Sequence, residues 1–119
     1  MTKTRAVLAA VVMTAILPVL AATATSASAA SGSCPQYNSL LAANGLPVAT
    51  FSRIMYRESR CHPGAYNRSG ATGLLQIMRQ WAGSWRLCRG LNLSSAVGNV
   101  TCAGRMYRLS GSSPWRLTR

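Results

Sequence analysis

Beyond residue 34, apolar residues recur at intervals of three and four, which is the period of an amphipathic helix. The pattern predicts four short helices, at about 35–43, 48–60, 74–85 and 94–109. Asn44-Gly45, Pro63-Gly64 and Gly111 are typical of helix ends. No segment has the alternation of a half-buried strand. We therefore expect an all-α domain.

The first 29 residues follow a different pattern, which is typical of a secretory signal peptide. Lys3 and Arg5 precede an apolar stretch at 6–20, and Ala27-Ser28-Ala29 has the form of a cleavage site. The alternative is an uncleaved membrane anchor, because the apolar stretch approaches spanning length. We favour cleavage, which leaves residues 30–119 as one small domain that is secreted or held in the cell wall, without a membrane span.

The remaining domain is strongly basic. It carries eleven Arg, no Lys and one Glu, so its net charge is 11 − 1 = +10, against +12 for the whole chain. Because the arginines are spread along the sequence, they favour a diffuse positive field that attracts polyanions. A nucleic-acid partner is disfavoured, since the sequence has no recognisable nucleic-acid-binding module.

A domain of this size needs more than its apolar core for stability, and outside the cell disulfides commonly supply the difference. Four cysteines, Cys34, Cys61, Cys88 and Cys102, allow three pairings. We favour Cys34 with Cys61 and Cys88 with Cys102, a choice that the sequence does not decide. Zinc binding is the competing interpretation of the four cysteines, but their spacing contains no C-x-x-C, so we expect no metal site. We expect no other cofactor.

Glu58 is the only side-chain carboxylate in 119 residues. Its isolation excludes a Ser-His-Asp triad, a carboxylate pair for ordinary glycoside hydrolysis and an acidic calcium site. Glu58 follows Phe51, Ile54 and Met55 on one helical stripe, so we expect it in line with the buried face. Burial favours the protonated form that a proton donor requires. The alternative is an ion pair with a neighbouring arginine on a solvated helix edge.

The residues after Glu58 form a long, mixed motif. Ser59-Arg60 is followed by Pro63, Ala65, Gly70-Ala71 and Gly73-Leu74-Leu75-Gln76-Ile77-Met78. This order and spacing resemble the lytic transglycosylase domain of the soluble lytic murein transglycosylase type, within the lysozyme-like superfamily. The resemblance is sharpest over residues 46–79. Asn67 stands where the family usually has Ser, Arg79 replaces a common Pro, and Tyr107 lies one position later than the family pattern.

The resemblance implies a small, disulfide-stapled lysozyme-like domain that acts on peptidoglycan glycan strands. It implies cleavage of the β-1,4 bond between N-acetylmuramic acid and N-acetylglucosamine, with Glu58 as acid and then base. The muramic acid 6-hydroxyl would be the nucleophile and the product a 1,6-anhydro sugar. Such a mechanism needs no second carboxylate, and this chain has none. We expect the protein to be a monomer.

By the same resemblance, seven residues would line or shape the substrate site: Ser59, Asn67, Gly70, Gly73, Gln76, Met78 and Tyr107. Two of these have ordinary alternatives, since Met78 could fill the core and Ser59 could form a helix-end hydrogen bond. The three tryptophans could stack on sugars or belong to the core, and they are Trp81, Trp85 and Trp115. Trp115 could also fold back on the domain.

Two other functions compete with a transglycosylase. Water could replace the sugar hydroxyl as nucleophile, which would make the protein a lysozyme that cleaves the same bond. Alternatively, a non-catalytic cationic protein could harm bacteria by adsorbing to the wall or membrane. Adsorption predicts activity that survives the loss of Glu58 and disappears at high salt, because salt screens exposed charges.

Overall fold

The computed structural model describes residues 32–83 and 87–118. Four α-helices follow in order: α1 (Asn38–Ala43), α2 (Val48–Ser59), α3 (Arg79–Gly83) and α4 (Ala96–Ser110), with short 3-10 turns at Pro35–Tyr37 and Ser113–Trp115. Isolated bridges join Tyr66 to Thr72 and Thr72 to Ile77, and no strand occurs within these ranges. The all-α expectation is confirmed. The signal peptide expected at 1–29 lies outside the described residues.

Helix α2 forms the centre of the core. Its stripe of Phe51, Ile54 and Met55 is completely buried. The ring of Phe51 meets Tyr107 and Trp115 edge-on, with centroids 5.4 and 5.0 Å away. The predicted helix ran to residue 60, but α2 ends one residue earlier because Arg60 adopts a left-handed conformation (φ 53°). The packing of α2 therefore agrees with the helical periodicity.

Helix α4, predicted at about 94–109, begins at Ala96, directly after its N-cap Ser95. The Ser95 hydroxyl accepts a hydrogen bond from the amide of Gly98, which satisfies one of the free amides of the first turn. Further along, Gly104 permits close contact with the end of α1, because a β-carbon there would crowd the Asn44 carbonyl. The glycine thus allows α4 to pack tightly against the residue that ends α1.

The helix predicted at 74–85 is wrong over its first part. Residues 73–76 form a turn, Ile77 pairs with Thr72, and α3 begins only at residue 79. Gln76 has a positive φ of 47°, which cannot continue a right-handed helix. The amide of Leu75 donates to the Asn99 side chain, 24 positions away. Hydrogen bonds to distant groups therefore replace those of a local helix, while Leu74, Leu75 and Ile77 all become buried.

Two disulfides join Cys34 to Cys61 and Cys88 to Cys102, which is the pairing that we favoured. They close loops of 27 and 14 residues. In the chain-entropy treatment, loops of this length contribute about 3 kcal/mol each to the free energy of unfolding. The first disulfide joins the end of α2 to the start of the described chain. The second joins Cys88 to α4.

No helix within the described ranges has the length and apolar character needed to cross a bilayer.

Candidate active site

Glu58 lies in the last turn of α2, at the edge of a cleft with a volume of about 560 Å³. The side chain is partly buried. Two segments line the rest of the cleft: Met78, Gln80 and Trp81 on one part, and residues 113–118 on the other. The helical stripe therefore places the lone carboxylate in line with the buried face, as expected, and the structure adds a concave surface beside it.

Within the described residues, Glu58 has a hydroxyl neighbour and no arginine at ion-pair distance. The Thr118 hydroxyl donates to Glu58 Oε1 at 2.6 Å. Arg57 Nη1 donates to the Thr118 carbonyl at 2.9 Å, and the Arg60 guanidinium stacks 4.5 Å above the Tyr56 ring. Both neighbouring arginines are thus engaged elsewhere. Among the residues that the structure describes, the partner of this carboxylate is therefore a hydroxyl and not an arginine.

Gln76 and Asn67 organise the loop at 65–78. The Gln76 amide nitrogen donates to the carbonyls of Ala65 and Gly73, at 3.1 and 3.0 Å, and its oxygen accepts from Asn67 Nδ2 at 3.2 Å. These three bonds offset the cost of its positive φ, which is of the order of 1 kcal/mol. Neither side chain lines the Glu58 cleft in the described ranges. Contact between these two residues and a sugar stays a prediction.

Glycine is needed at positions 70 and 73 of the loop for different structural reasons. Both have a positive φ, 89° at Gly70 and 78° at Gly73. A β-carbon on Gly70 would meet open space, whereas one on Gly73 would overlap the Leu93 carbonyl and the Asn99 side chain. Gly70 therefore serves the turn alone. Gly73 also allows the loop to approach α4 closely.

Met78 connects the loop to the cleft. It lines the cleft together with Glu58, and the Ser69 hydroxyl lies 4.0 Å from its sulfur. Ser69 in turn bonds to the Asn67 side chain. A chain of contacts therefore runs from Gln76 through Asn67 and Ser69 to a side chain at the cleft. The glycine loop thus contacts the wall of the cleft that Glu58 borders.

Ser59 is buried, and Tyr107 is partly buried against the core. The Ser59 side chain is buried and its hydroxyl donates to the Met55 carbonyl at 3.0 Å, which is the helix-end hydrogen bond considered as an alternative. Tyr107 packs against Phe51. Neither residue is among those that line the cleft of the described chain. Contact of either residue with substrate stays a prediction.

The tryptophans differ in position. Trp81 is partly buried and lines the cleft, Trp115 is 4% exposed, and Trp85 lies outside the described residues. The indole N–H of Trp115 donates to the Leu75 carbonyl at 2.8 Å. The tail therefore folds back on the domain, and this bond fastens it to the loop at 65–78.

The sequence analysis assigned no role to two residues that contact the candidate site or its loop. Asn99 is fully buried, and its side chain bonds to the Leu75 amide and to the carbonyls of Thr72 and Leu93. A polar residue on the apolar stripe of α4 was the available signal. The second residue is Thr118, which lies 60 positions from Glu58. No local pattern indicates that contact.

Replacement of Trp115 by Phe tests how firmly the tail is held. Removal of the indole N–H leaves the Leu75 carbonyl without its donor, so we expect the free energy of unfolding to fall by about 2 kcal/mol. Urea denaturation with the disulfides intact measures this change. Arg116→Ala is the matched control, because that exposed neighbour should change stability by less than about 0.5 kcal/mol. Equal stability of Trp115→Phe and the wild type would contradict the anchoring role.

Comparison with known proteins identifies relatives of this chain. The sequence profile of the Transglycosylase SLT domain matches residues 37–98, just over half of the 119 residues. A curated protein of Staphylococcus aureus (strain bovine RF122 / ET3-1), named "Probable transglycosylase IsaA", is 31% identical over 71 residues. The aligned region covers 60% of this chain and 27% of that protein, so the chain spans about a quarter of its relative's length. No solved structure matches with statistical significance.

Proposed function

The chain belongs to the Transglycosylase SLT domain family, and on that premise we propose that it is a secreted lytic transglycosylase that cleaves peptidoglycan. The bond cleaved is the β-1,4 link between N-acetylmuramic acid and N-acetylglucosamine. One observation carries the proposal: the only side-chain carboxylate of the sequence is partly buried at the edge of a cleft of about 560 Å³. The family match includes Glu58 and the first cleft wall at 78–81.

Glu58 performs both proton transfers in this proposal. Protonated Glu58 donates to the glycosidic oxygen as the bond from that oxygen to the muramic acid C1 breaks. The ionised carboxylate then removes the proton of the muramic acid 6-hydroxyl, whose oxygen forms the new bond to C1. The proton returns to Glu58 and the product is a 1,6-anhydro sugar. The solitary carboxylate supports this chemistry, since an ordinary glycosidase uses two.

The cleft walls suit a glycan strand. Trp81 offers an aromatic surface beside Glu58, and Met78 offers a flexible apolar one. Both would contact sugar faces directly. Asn67, Gly70, Gly73 and Gln76 would shape the loop that carries Met78, as their hydrogen bonds and backbone angles indicate. Ser59 and Tyr107 would support the site through their packing at the ends of α2 and α4.

The charge of the chain fits a bacterial cell wall as the place of action. The whole sequence has a net charge of +12, and Arg116 lines the cleft itself. Arginine pairs well with carboxylate and phosphate groups, both of which bacterial walls contain. Cleavage after Ala29 would release the domain outside the cell. There the two disulfides remain oxidised.

Product analysis tests the proposal. Purified peptidoglycan is digested with the wild type and with Glu58→Gln, and the soluble fragments are examined by mass spectrometry. We expect the wild type to release anhydro-muropeptides, which lack one water relative to hydrolytic products, and the variant to release none. Fragments with reducing ends would indicate lysozyme-type hydrolysis. Absence of fragments from both proteins would reject the catalytic proposal.

A further inference from the structure

The tail at 113–118 is a second part of the Glu58 site, and it lies beyond the region that matches the family. The family match ends at residue 98. Side-chain hydrogen bonds tie the tail to the domain, from Trp115 to the Leu75 carbonyl and from Arg57 to the Thr118 carbonyl. Together they bring the Thr118 hydroxyl to 2.6 Å from Glu58 Oε1.

The Thr118 hydroxyl has two polar neighbours. Its oxygen lies 2.6 Å from Glu58 Oε1 and 3.2 Å from the Trp115 carbonyl. A hydroxyl has one hydrogen to donate and two lone pairs that accept. When Glu58 is ionised, Thr118 donates to it. When Glu58 is protonated, Thr118 can accept the carboxyl hydrogen and donate its own to the Trp115 carbonyl.

We propose that Thr118 is a positioning residue, which holds the Glu58 carboxyl in one place through both of its protonation states. The inference rests on the proposed function, in which one carboxyl must first donate a proton and then remove one. An arginine in the same place would favour only the ionised form. A hydroxyl that also lies within hydrogen-bond distance of a carbonyl satisfies either form by rotation about a single C–O bond.

The position of Arg57 supports this assignment. It is adjacent to Glu58 in sequence, yet its guanidinium donates to the backbone carbonyl of Thr118. The cation thus fixes the residue that carries the hydroxyl, and the partner of the carboxyl in the described part of the chain is a neutral one. Trp115 also helps to position the hydroxyl, in two ways. Its indole N–H fastens the tail to the Leu75 carbonyl, and its own carbonyl accepts a hydrogen bond from the Thr118 hydroxyl.

A pair of substitutions tests the hydroxyl. Thr118→Val keeps the shape of the side chain and removes the hydroxyl, whereas Thr118→Ser keeps the hydroxyl and removes a methyl group. Both variants are assayed on soluble glycan strands for kcat and KM, beside the wild type and Glu58→Gln. We expect Thr118→Val to lower kcat about tenfold with KM changed less than twofold, and Thr118→Ser to stay within about threefold of the wild type.

Other outcomes would overturn the assignment. A wild-type kcat in Thr118→Val would show that the hydroxyl does not act on Glu58, and a higher rate would show that the tail obstructs the cleft. Equal losses in the valine and serine variants would assign the effect to packing, and a raised KM alone would assign it to substrate binding. If the wild type itself releases no fragments, the proposed function fails and the role of Thr118 fails with it. An active wild type with normal Thr118→Val rejects Thr118 alone.

Discussion

Glu58→Gln is expected to lower the rate of glycan cleavage on the order of a thousandfold, which is the scale of a lost general acid and base. The glutamine amide has the size of the carboxylate but neither donates nor removes a proton in the reaction. The Thr118 hydroxyl can still donate to the glutamine oxygen, so the tail should stay in place. The rate of release of soluble fragments from peptidoglycan measures the effect. A thermal unfolding curve close to that of the wild type would show that the fold is intact.

The same variant separates catalysis from adsorption. Glu58→Gln raises the net charge of the chain from +12 to +13, because it removes the one negative side chain. A cationic protein that acts by binding would therefore keep or increase its activity. Arg53→Gln is the matched control: this exposed residue of α2 lies away from the cleft lining, and its loss lowers the charge by one. An active Glu58→Gln together with a weakened Arg53→Gln would contradict the enzymatic proposal.

Asn99→Leu should cost about 3–5 kcal/mol of the free energy of unfolding. Leucine has a similar volume, but it would leave the Leu75 amide and the carbonyls of Thr72 and Leu93 without their partner. Asn99 is completely buried, so water does not replace these bonds in the native packing. The loss is a large part of the 5–15 kcal/mol that is typical of small domains.

Urea denaturation with the disulfides intact measures the stability of Asn99→Leu, and hydrogen exchange reports on the Leu75 amide, which should become less protected. Val97→Ala is the control on the same helix, because Val97 is 64% exposed and its truncation should change stability by less than about 0.5 kcal/mol. A loss below about 1 kcal/mol in Asn99→Leu would contradict the view that this side chain holds the loop to α4.

Helical periodicity predicted α2 and α4 closely. In α2, Phe51, Ile54 and Met55 bury one face, and in α4 the Ser95 cap defines the start. Both helices depend on contacts between residues three and four apart, which a sequence displays directly. The segment at 74–78 is equally apolar but is not helical, because Asn99 of α4 binds the Leu75 amide and Ile77 pairs with Thr72. Local periodicity carries no information on such a bond.

The candidate site also combines features that the local sequence predicts with features that depend on the tertiary structure. The lone carboxylate, its place on the apolar stripe and the motif from Glu58 to Met78 are local features, so the sequence indicated them. Met78 lines the same cleft as Glu58, while Gln76 and Asn67 bond to each other and to their own loop. The backbone angles of the loop, such as the positive φ of Gln76, decide which of these side chains turns toward the cleft. The amino-acid composition does not reveal these angles.

The sequence by itself determined the chemistry that is available: one side-chain carboxylate, an excess of arginine and a helix that places Glu58 in line with its buried stripe. Only the tertiary structure decided what surrounds that carboxylate. The tail reaches it across 60 positions, and Thr118 becomes its hydrogen-bond partner while Arg57 binds the backbone nearby. Such contacts depend on how the tail packs against α2 and the loop at 65–78, through Phe51 and Leu75. Residues distant in sequence become neighbours only when the core that joins them has formed.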